Sequence, residues 1–150
     1  MSWGIDSAVP GSRDILCGDF FPVIPTGKFY ENYRIPVELP EATVVEQLQQ
    51  AVIRVRRALK MWRLEQDAAK LSDIPQEAVD GVSELVLLWQ RAVYCEAKAE
   101  ILRETMTADR RKDAENAMAT GAETEDKYRE FAADAIAAIT GSNSTTISMI

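Results

Sequence analysis

Apolar side chains in the centre of the chain recur at alternating steps of three and four residues, which is the spacing of one face of an α-helix. The first stripe begins just after Thr43, in a TVVE sequence that places Thr43 and Glu46 as a capping box. Its members are Val45, Leu48, Val52, Val55, Leu59 and Trp62. The pattern predicts a first long helix from Thr43 to about Lys70.

A second apolar stripe follows the connector LSDIPQEAVDG, in which Pro75 cannot continue a helix and Asp80 and Gly81 favour a turn. The members of this stripe are Leu85, Leu88, Ala92, Cys95, Ala99, Leu102 and Met106. Further apolar residues widen the face, so the helix is expected to contact more than one neighbour. The pattern predicts a second long helix from about Val82 to Met106.

A third stripe, made mostly of small residues, predicts a helix that starts after Thr107 and ends before Gly141. Gly141 suits a left-handed C-cap because glycine has no Cβ. Gly121 and the polar run ETED weaken the middle of this segment, which predicts a kink or a break near residues 119–124.

The N-terminal part of the chain differs from this helical centre. Residues 1–42 hold five of the six prolines and three of the four phenylalanines, so we expect an irregular arm with a short helical turn around GKFYENYRI. In this arm Phe20, Phe21 and Ile24 surround Pro22, and packing of the aromatic rings on the following helices is the favoured interpretation. The predicted fold is mainly α: a helical bundle of three long helices at 43–140, with an irregular N-terminal arm at 1–42 and an extended C-terminal tail at 141–150.

Charge is uneven along a chain whose formal net charge is −7. Residues 43–70 carry six basic and three acidic side chains, whereas residues 73–100 carry two basic and six acidic ones. Two such helices can pair their faces within one molecule or between copies. Arg56, Lys60 and Arg63 lie off the apolar stripe, and a solvated face is the simpler interpretation of them, with an inter-subunit charged face as the alternative.

The sequence offers little apparatus for catalysis. It has no histidine, no glycine-rich phosphate loop, no GxSxG elbow and no HExxH, so no catalytic, cofactor-binding or metal-binding residue is predicted and the chain is not expected to be an enzyme. Cys17 and Cys95 stand far apart without CxxC spacing, which indicates neither a disulfide framework nor a zinc site. The sequence contains no run of about twenty apolar residues, so no membrane span is predicted.

Several linked segments of the sequence resemble the head completion proteins (protein L family) of P2-like tailed bacteriophages. In chain order they are FFPVI, YRIP, LKMWR, LSDIPQEAVDG, RAVYCEAKAEIL and YREFAADAIAAITGSNSTTISMI. The resemblance covers roughly residues 19–150 and rests on the order and spacing of these segments rather than on one short pattern.

This resemblance implies a head-tail connector that is made in the host cytoplasm and becomes part of the virion at the head-tail interface. It implies a homo-oligomeric, twelve-membered ring under the portal protein, formed after DNA packaging, that retains the genome and gives the tail completion or tail terminator protein a platform. DNA is expected to pass through the ring without sequence-specific binding, and no cofactor or membrane is implied. The matching arm positions, expected to make contacts in the assembly, are Phe20, Phe21, Pro22 and Ile24.

The C-terminal tail is predicted to dock on the portal or on a neighbouring copy through Thr146, Ile147, Ser148, Met149 and Ile150. Ordering ten residues costs on the order of 10–20 kcal/mol, whereas burying three apolar side chains contributes about 5–9 kcal/mol. The remaining free energy has to come from new hydrogen bonds, and an extended segment obtains these by adding a strand to the sheet edge of a partner.

A different class of function stays open from the residues alone. A DNA-contacting packaging factor, such as a small terminase-like helical protein, would also be helical and would show binding to duplex DNA that weakens steeply with salt. Against it, the basic helix also carries a long apolar stripe, and no aromatic side chains alternate with its arginines.

Overall fold

The fold is mainly helical. A computed structural model describes residues 13–108 and 124–141, with the side chains of the first range described as far as Thr105. The helices are α1 (Thr26–Asn32), α2 (Glu41–Ala58), α3 (Lys60–Leu64), α4 (Glu84–Ala108) and α5 (Glu125–Thr140). The strands are β1 (Asp14–Ile15), β2 (Ile24–Pro25), β3 (Ala78–Val79) and β4 (Val82–Ser83), and a 3₁₀ turn covers Leu71–Asp73.

The start of α2 corrects the predicted capping box. The helix begins at Glu41 directly after Pro40, and no side chain caps it. The amides of Thr43 and Val44 bond to the carbonyl oxygen of Pro40, at 3.0 and 3.2 Å. Since proline suits a helix start and lacks an amide that would need a partner there, the helix begins two residues earlier without a side-chain cap.

The predicted first helix does not run unbroken to Lys70. α2 ends at Ala58, Leu59 leaves the helical conformation with ψ near 3°, and the short α3 ends at Leu64. Leu59 is fully buried, and beyond it the Trp62 ring meets the Phe20 ring edge-on, with centroids 6.4 Å apart. Beyond the break the chain therefore contacts the N-terminal segment, and the helical spacing of apolar residues does not predict this contact.

The connector contains the turn that the sequence predicts at Asp80 and Gly81. Both residues have positive φ, 55° and 78°, and they join β3 and β4 as a two-residue hairpin loop in which Val79 pairs with Val82. This combination of a short polar residue and a glycine fits the left-handed geometry that such loops require.

The two later helices end close to where the sequence places them. α4 begins two residues after the predicted Val82, and α5 ends at Gly141, whose φ of 77° confirms the left-handed C-cap. Thr124 has an extended backbone and its hydroxyl accepts a hydrogen bond from the amide of Lys127, so α5 begins at Glu125. The rest of the predicted weak region, residues 119–123, lies outside the described residues.

α4 is the centre of the core, with α2 and α5 packed against it. Trp89, Ala92, Val93, Cys95 and Ala97 on α4 have no exposed surface. Among the described helices, none combines the length and the apolarity that a bilayer-crossing segment needs.

The described part of the arm belongs to this core and is not irregular throughout. β1 and β2 pair antiparallel, and α1 follows β2 directly. Thr26 ties the hairpin together because its hydroxyl donates to the carbonyl oxygen of Arg13 at 2.9 Å. Further on, the amide of Leu71 donates to the carbonyl oxygen of Phe20 at 2.9 Å, so the segment is bonded to the connector as well.

Candidate interaction surfaces

The arm residues singled out from the sequence lie inside the subunit. Phe20, Phe21 and Ile24 are buried, and Phe21 stacks on Trp89 with ring centroids 4.2 Å apart. The indole nitrogen of Trp89 donates to the carbonyl oxygen of Pro22 at 3.1 Å. Packing on the helices, the favoured interpretation of these aromatics, is what the structure shows. A contact of these four residues with another subunit stays a prediction, and their burial leaves little surface for it.

A cluster of ion pairs joins α2, α4 and α5. Arg54 of α2 and Arg129 of α5 both contact one carboxylate oxygen of Glu96 on α4, at 3.0 and 3.3 Å. Arg129 also contacts Glu100 at 2.6 Å and Glu125 at 2.8 Å. The basic and acidic helices therefore meet within one molecule at these positions, where charge complementarity fixes helix orientation.

The electrostatic state of Glu100 follows from this cluster. Partial burial acts to raise the pKa of this carboxyl group, but hydrogen bonds from Arg129 and Arg103 outweigh it and hold the pKa below its ordinary value. The same bonds oppose the effect of burial on Arg129, whose pKa is raised. Glu100 is thus ionised wherever the protein is folded near neutral pH.

The remaining cations of the first helical region form an exposed stripe, the α2–α3 outer face. It consists of Ile53, Arg56, Arg57, Lys60, Met61 and Leu64, all exposed. Steps of three, four and seven residues place most of these positions on one side of the helix. Met61 and Leu64 are 72% and 67% exposed, so the stripe combines apolar and cationic side chains.

The three cations predicted for an inter-subunit face have different surroundings. Lys60 is exposed and has no ion pair among the described residues. Arg56 is exposed too, but its guanidinium donates to the carbonyl oxygen of Cys17 at 3.2 Å. Arg63 is half-buried, with its guanidinium carbon 4.1 Å from the centre of the Phe20 ring. Arg57, which was not singled out, is as exposed as Lys60.

A cleft of about 490 Å³ between α1, α4 and α5 was not predicted from the sequence. Tyr33, Tyr94 and Tyr128 form an aromatic wall, with neighbouring ring centroids 5.3 and 6.4 Å apart. The Arg91 guanidinium lies over the Phe131 ring, with its carbon 5.0 Å from the centroid. These residues come from three distant parts of the chain; the only local signals are the spacings from Arg91 to Tyr94 and from Tyr128 to Phe131.

The two cysteines are packing groups. Both are buried and free, and burial raises the pKa of Cys17 to about 11 and that of Cys95 above its ordinary value. Each thiol therefore stays protonated near neutral pH, the form that is a poor nucleophile and metal ligand. Within residues 13–108 and 124–141, no three His, Cys, Asp or Glu side chains are grouped to hold a metal ion.

The predicted docking residues Thr146 to Ile150 lie outside the described residues. The described chain reaches Gly141, where the left-handed backbone ends α5.

A family model for the phage head completion protein (GPL) matches residues 15–150. The chain belongs to this family. The match confirms the resemblance found in the sequence and begins four residues before the 19–150 segment that carried it. Searches of curated proteins and of solved structures found no match.

Membership of the GPL family makes the chain a structural protein of the phage head, and thus a component of the virion. A head completion protein interacts with other structural proteins of the head or tail. The α2–α3 outer face and the cleft are exposed in the described residues, whereas the arm aromatics and the ion cluster make contacts within the subunit.

Proposed function

We propose that the protein assembles as a ring beneath the portal after DNA packaging, retains the genome and gives the tail its attachment platform. The observation that carries this proposal is the GPL family match, which spans nearly the whole chain from residue 15 to residue 150. The proposed partners are the portal protein, a tail completion or tail terminator protein, and further copies of this chain in a twelve-membered ring.

The α2–α3 outer face supports the ring. A closed ring needs heterologous contacts, in which one face of a subunit meets a different face of the next. Arg56 and Lys60 point away from the ion cluster that Arg54 joins, and Met61 and Leu64 beside them are exposed. A surface of this composition resembles a subunit contact more than a purely solvated helix face, because protein–protein contacts bury apolar side chains together with arginine.

The C-terminal segment is proposed as a docking strand. The chain leaves α5 at Gly141, and the ten residues from there span about 33 Å when extended. Thr146 to Ile150 would then lie on the portal or on the next copy, where Ile147 and Met149 point to one side of the strand. Repetition around a ring strengthens such a weak contact because each tail is held near its site by the others.

Purified portal provides the main test. We expect the wild-type chain to bind portal in a complex whose measured mass corresponds to a ring of copies. Lys60→Glu is expected to weaken this binding about tenfold or more, whereas Lys70→Glu, which makes the same charge change at an exposed lysine outside the stripe, should leave it unchanged. A protein that binds duplex DNA with steep salt dependence and ignores portal would overturn the proposal in favour of a packaging factor.

Deletion of Thr146 to Ile150 tests the docking strand separately. The shortened chain is expected to keep the melting temperature of the wild type and to lose attachment to portal or to neighbouring copies. A control chain in which Ile147 and Met149 alone are changed to serine should lose much of the attachment, since the apolar side chains supply its burial. Unchanged attachment after the deletion would remove the tail from the proposal.

A further inference from the structure

The α2–α3 outer face needs a matching surface, and the acidic helix α4 has little left to offer. Glu96 and Glu100, which the sequence makes the natural partners of the basic helix, are already in contact with Arg54, Arg103 and Arg129. Glu104 is bonded to Gln47, and among the described side chains of α4 Glu84 alone remains as an exposed carboxylate without such a contact, so a row of acidic side chains has to come from another element.

The outer face of α5 has the complementary character. Asp126, Glu130 and Asp134 follow each other at steps of four residues, are exposed, and make no ion pair with described residues. Ala133 and Ala138 between and beyond them are exposed as well. The opposite side of α5 carries the buried Ala132, Ala135 and Ile139 and packs on α4. Lys127 is exposed on the same side, so the acidic face of α5 carries three carboxylates and one cation and has no ion-pair partner among the described residues.

The two faces fit each other in spacing and in shape. Carboxylates four residues apart rise by about 6 Å along a helix, and Arg56 and Lys60 are also four residues apart, so long cationic side chains can pair in register. Exposed alanines allow close approach of another helix, and the exposed Ile53 and Leu64 at either end of the cationic stripe would cover them. Opposite charges then surround an apolar contact.

We propose that the α2–α3 outer face of one copy docks on the acidic outer face of α5 of the next copy. This inference rests on the proposed ring and names its subunit contact. Every subunit carries both faces. They are different surfaces, because one lies on α2 and α3 and the other on α5, and α2 and α5 each pack on α4, where both contact Glu96. A contact of this heterologous kind propagates from copy to copy and closes into a ring when the rotation permits.

Charge reversal on each face tests the contact. In the first variant Arg57→Glu is combined with Lys60→Glu; in the second, Glu130→Lys is combined with Asp134→Lys. All four side chains are exposed and none makes an ion pair with a described residue, so both variants should melt like the wild type. Each variant now has two faces of the same sign, and we expect its self-association to weaken at least about tenfold by light scattering or native mass measurement.

Mixing the two variants gives the decisive result. The reversed stripe of the first variant faces the reversed α5 of the second, and their other two faces keep the original pairing. An equimolar mixture should therefore recover association to within about threefold of the wild type, in oligomers that alternate the two variants. The control pair Glu31→Lys with Glu38→Lys, exposed carboxylates that belong to neither proposed face, should neither disturb association nor rescue the first variant.

The experiments distinguish an error in the proposed subunit contact from an error in the proposed ring on the portal. If the wild type forms rings on portal and the variants do so equally well, or if their mixture stays dissociated, the contact named here is wrong and the ring stands. If the variants and their mixture behave as expected but no chain binds portal, the contact stands and the proposed function falls. Should the wild type associate only on portal, the same four samples are compared there, with the same pattern expected.

Discussion

Phe21 shows how a residue of the N-terminal arm becomes part of the core. Its ring stacks on Trp89, with planes 17° apart, and meets Phe20 edge-on at 4.9 Å. Stacked and edge-on ring pairs add to the free energy of burial alone. Phe21 thereby covers one face of the fully buried indole of Trp89, and Phe20 packs behind Phe21.

Phe21→Ala is therefore expected to lower the free energy of unfolding by about 3–5 kcal/mol, the usual range for a buried phenylalanine. Urea denaturation followed by tryptophan fluorescence measures the loss. Val23→Ala, two residues away at a position that is 36% exposed, should cost less than about 1 kcal/mol. Equal effects of the two substitutions would show that the segment is not anchored through Phe21.

The ion cluster makes the stability of the protein depend on pH. Because the pKa of Glu100 is below its ordinary value of 4.5 in the folded state, the unfolded chain binds a proton more readily there. This residue stabilises the fold above pH 4.5, and the stabilisation is lost as the pH falls through the lower, folded-state pKa.

Glu100→Gln is expected to reduce the fall in melting temperature between pH 6 and pH 3.5, and to lower the melting temperature itself at pH 7. Thermal unfolding across that pH range measures both effects. The control is Glu38→Gln, an exposed carboxylate without an ion pair among the described residues, which should leave the profile unchanged. A steeper acid dependence in Glu100→Gln than in the wild type would contradict this account of the cluster.

At the scale of the elements, the sequence predicted those turns and helix ends that depend only on the backbone conformation of neighbouring residues. The turn at Asp80 and Gly81 and the end of α5 at Gly141 need positive φ, which glycine and short polar residues adopt. The break at Leu59 was not predicted, because the helical spacing of apolar residues runs on through Trp62. Just beyond the break Trp62 contacts Phe20, about forty positions away, and periodicity carries no information on such contacts.

Gly141→Ala should lower the free energy of unfolding by about 1 kcal/mol. A Cβ at this position would meet nothing within 4 Å, so the cost arises from the left-handed backbone alone. Gly141→Asn should cost clearly less, since asparagine tolerates this conformation better than alanine does. Chemical denaturation of the two variants distinguishes a backbone effect, which predicts this order, from a steric one, which predicts the reverse.

At the scale of the whole molecule, the N-terminal segment completes the subunit. Hydrogen bonds to its carbonyl groups come from Leu71, Trp89 and Tyr94, in the connector and in α4. A composition rich in proline predicts irregular backbone, but it does not distinguish a loose arm from a well-packed segment. Only the placement of Phe20, Phe21 and Ile24 against α4 does so.

Removal of residues 1–25 is accordingly expected to abolish cooperative thermal unfolding, because it exposes Trp89 and leaves Leu71 without its backbone partner. Removal of residues 1–12 alone leaves β1, β2 and their contacts with the other described residues in the chain, and it should preserve a cooperative transition. Circular dichroism on heating compares the two chains. A 26–150 chain that melts like the wild type would mean that the helices are self-sufficient.

The candidate surfaces were only partly predictable, because contacts between distant residues decide which side chains stay exposed. A run of cations on one helix is visible in the sequence, and Lys60 is exposed as that run suggests. Which cations turn inward depends on distances between helices: Arg54 reaches Glu96, and Arg63 lies over Phe20. The carboxylates left over on α5 could be identified only after those internal pairs were known.

The hydrogen bond from Trp89 to Pro22 joins positions 67 residues apart, and this separation dictates an order of events during synthesis. Residues 13–25 leave the ribosome before α4, so their contacts with Trp89 and Tyr94 form only after α4 has been translated. Until then the nascent chain carries three exposed aromatic and aliphatic anchors that chaperones and proteases recognise. Slower translation of α4 would therefore lengthen the time for which Phe20, Phe21 and Ile24 stay exposed.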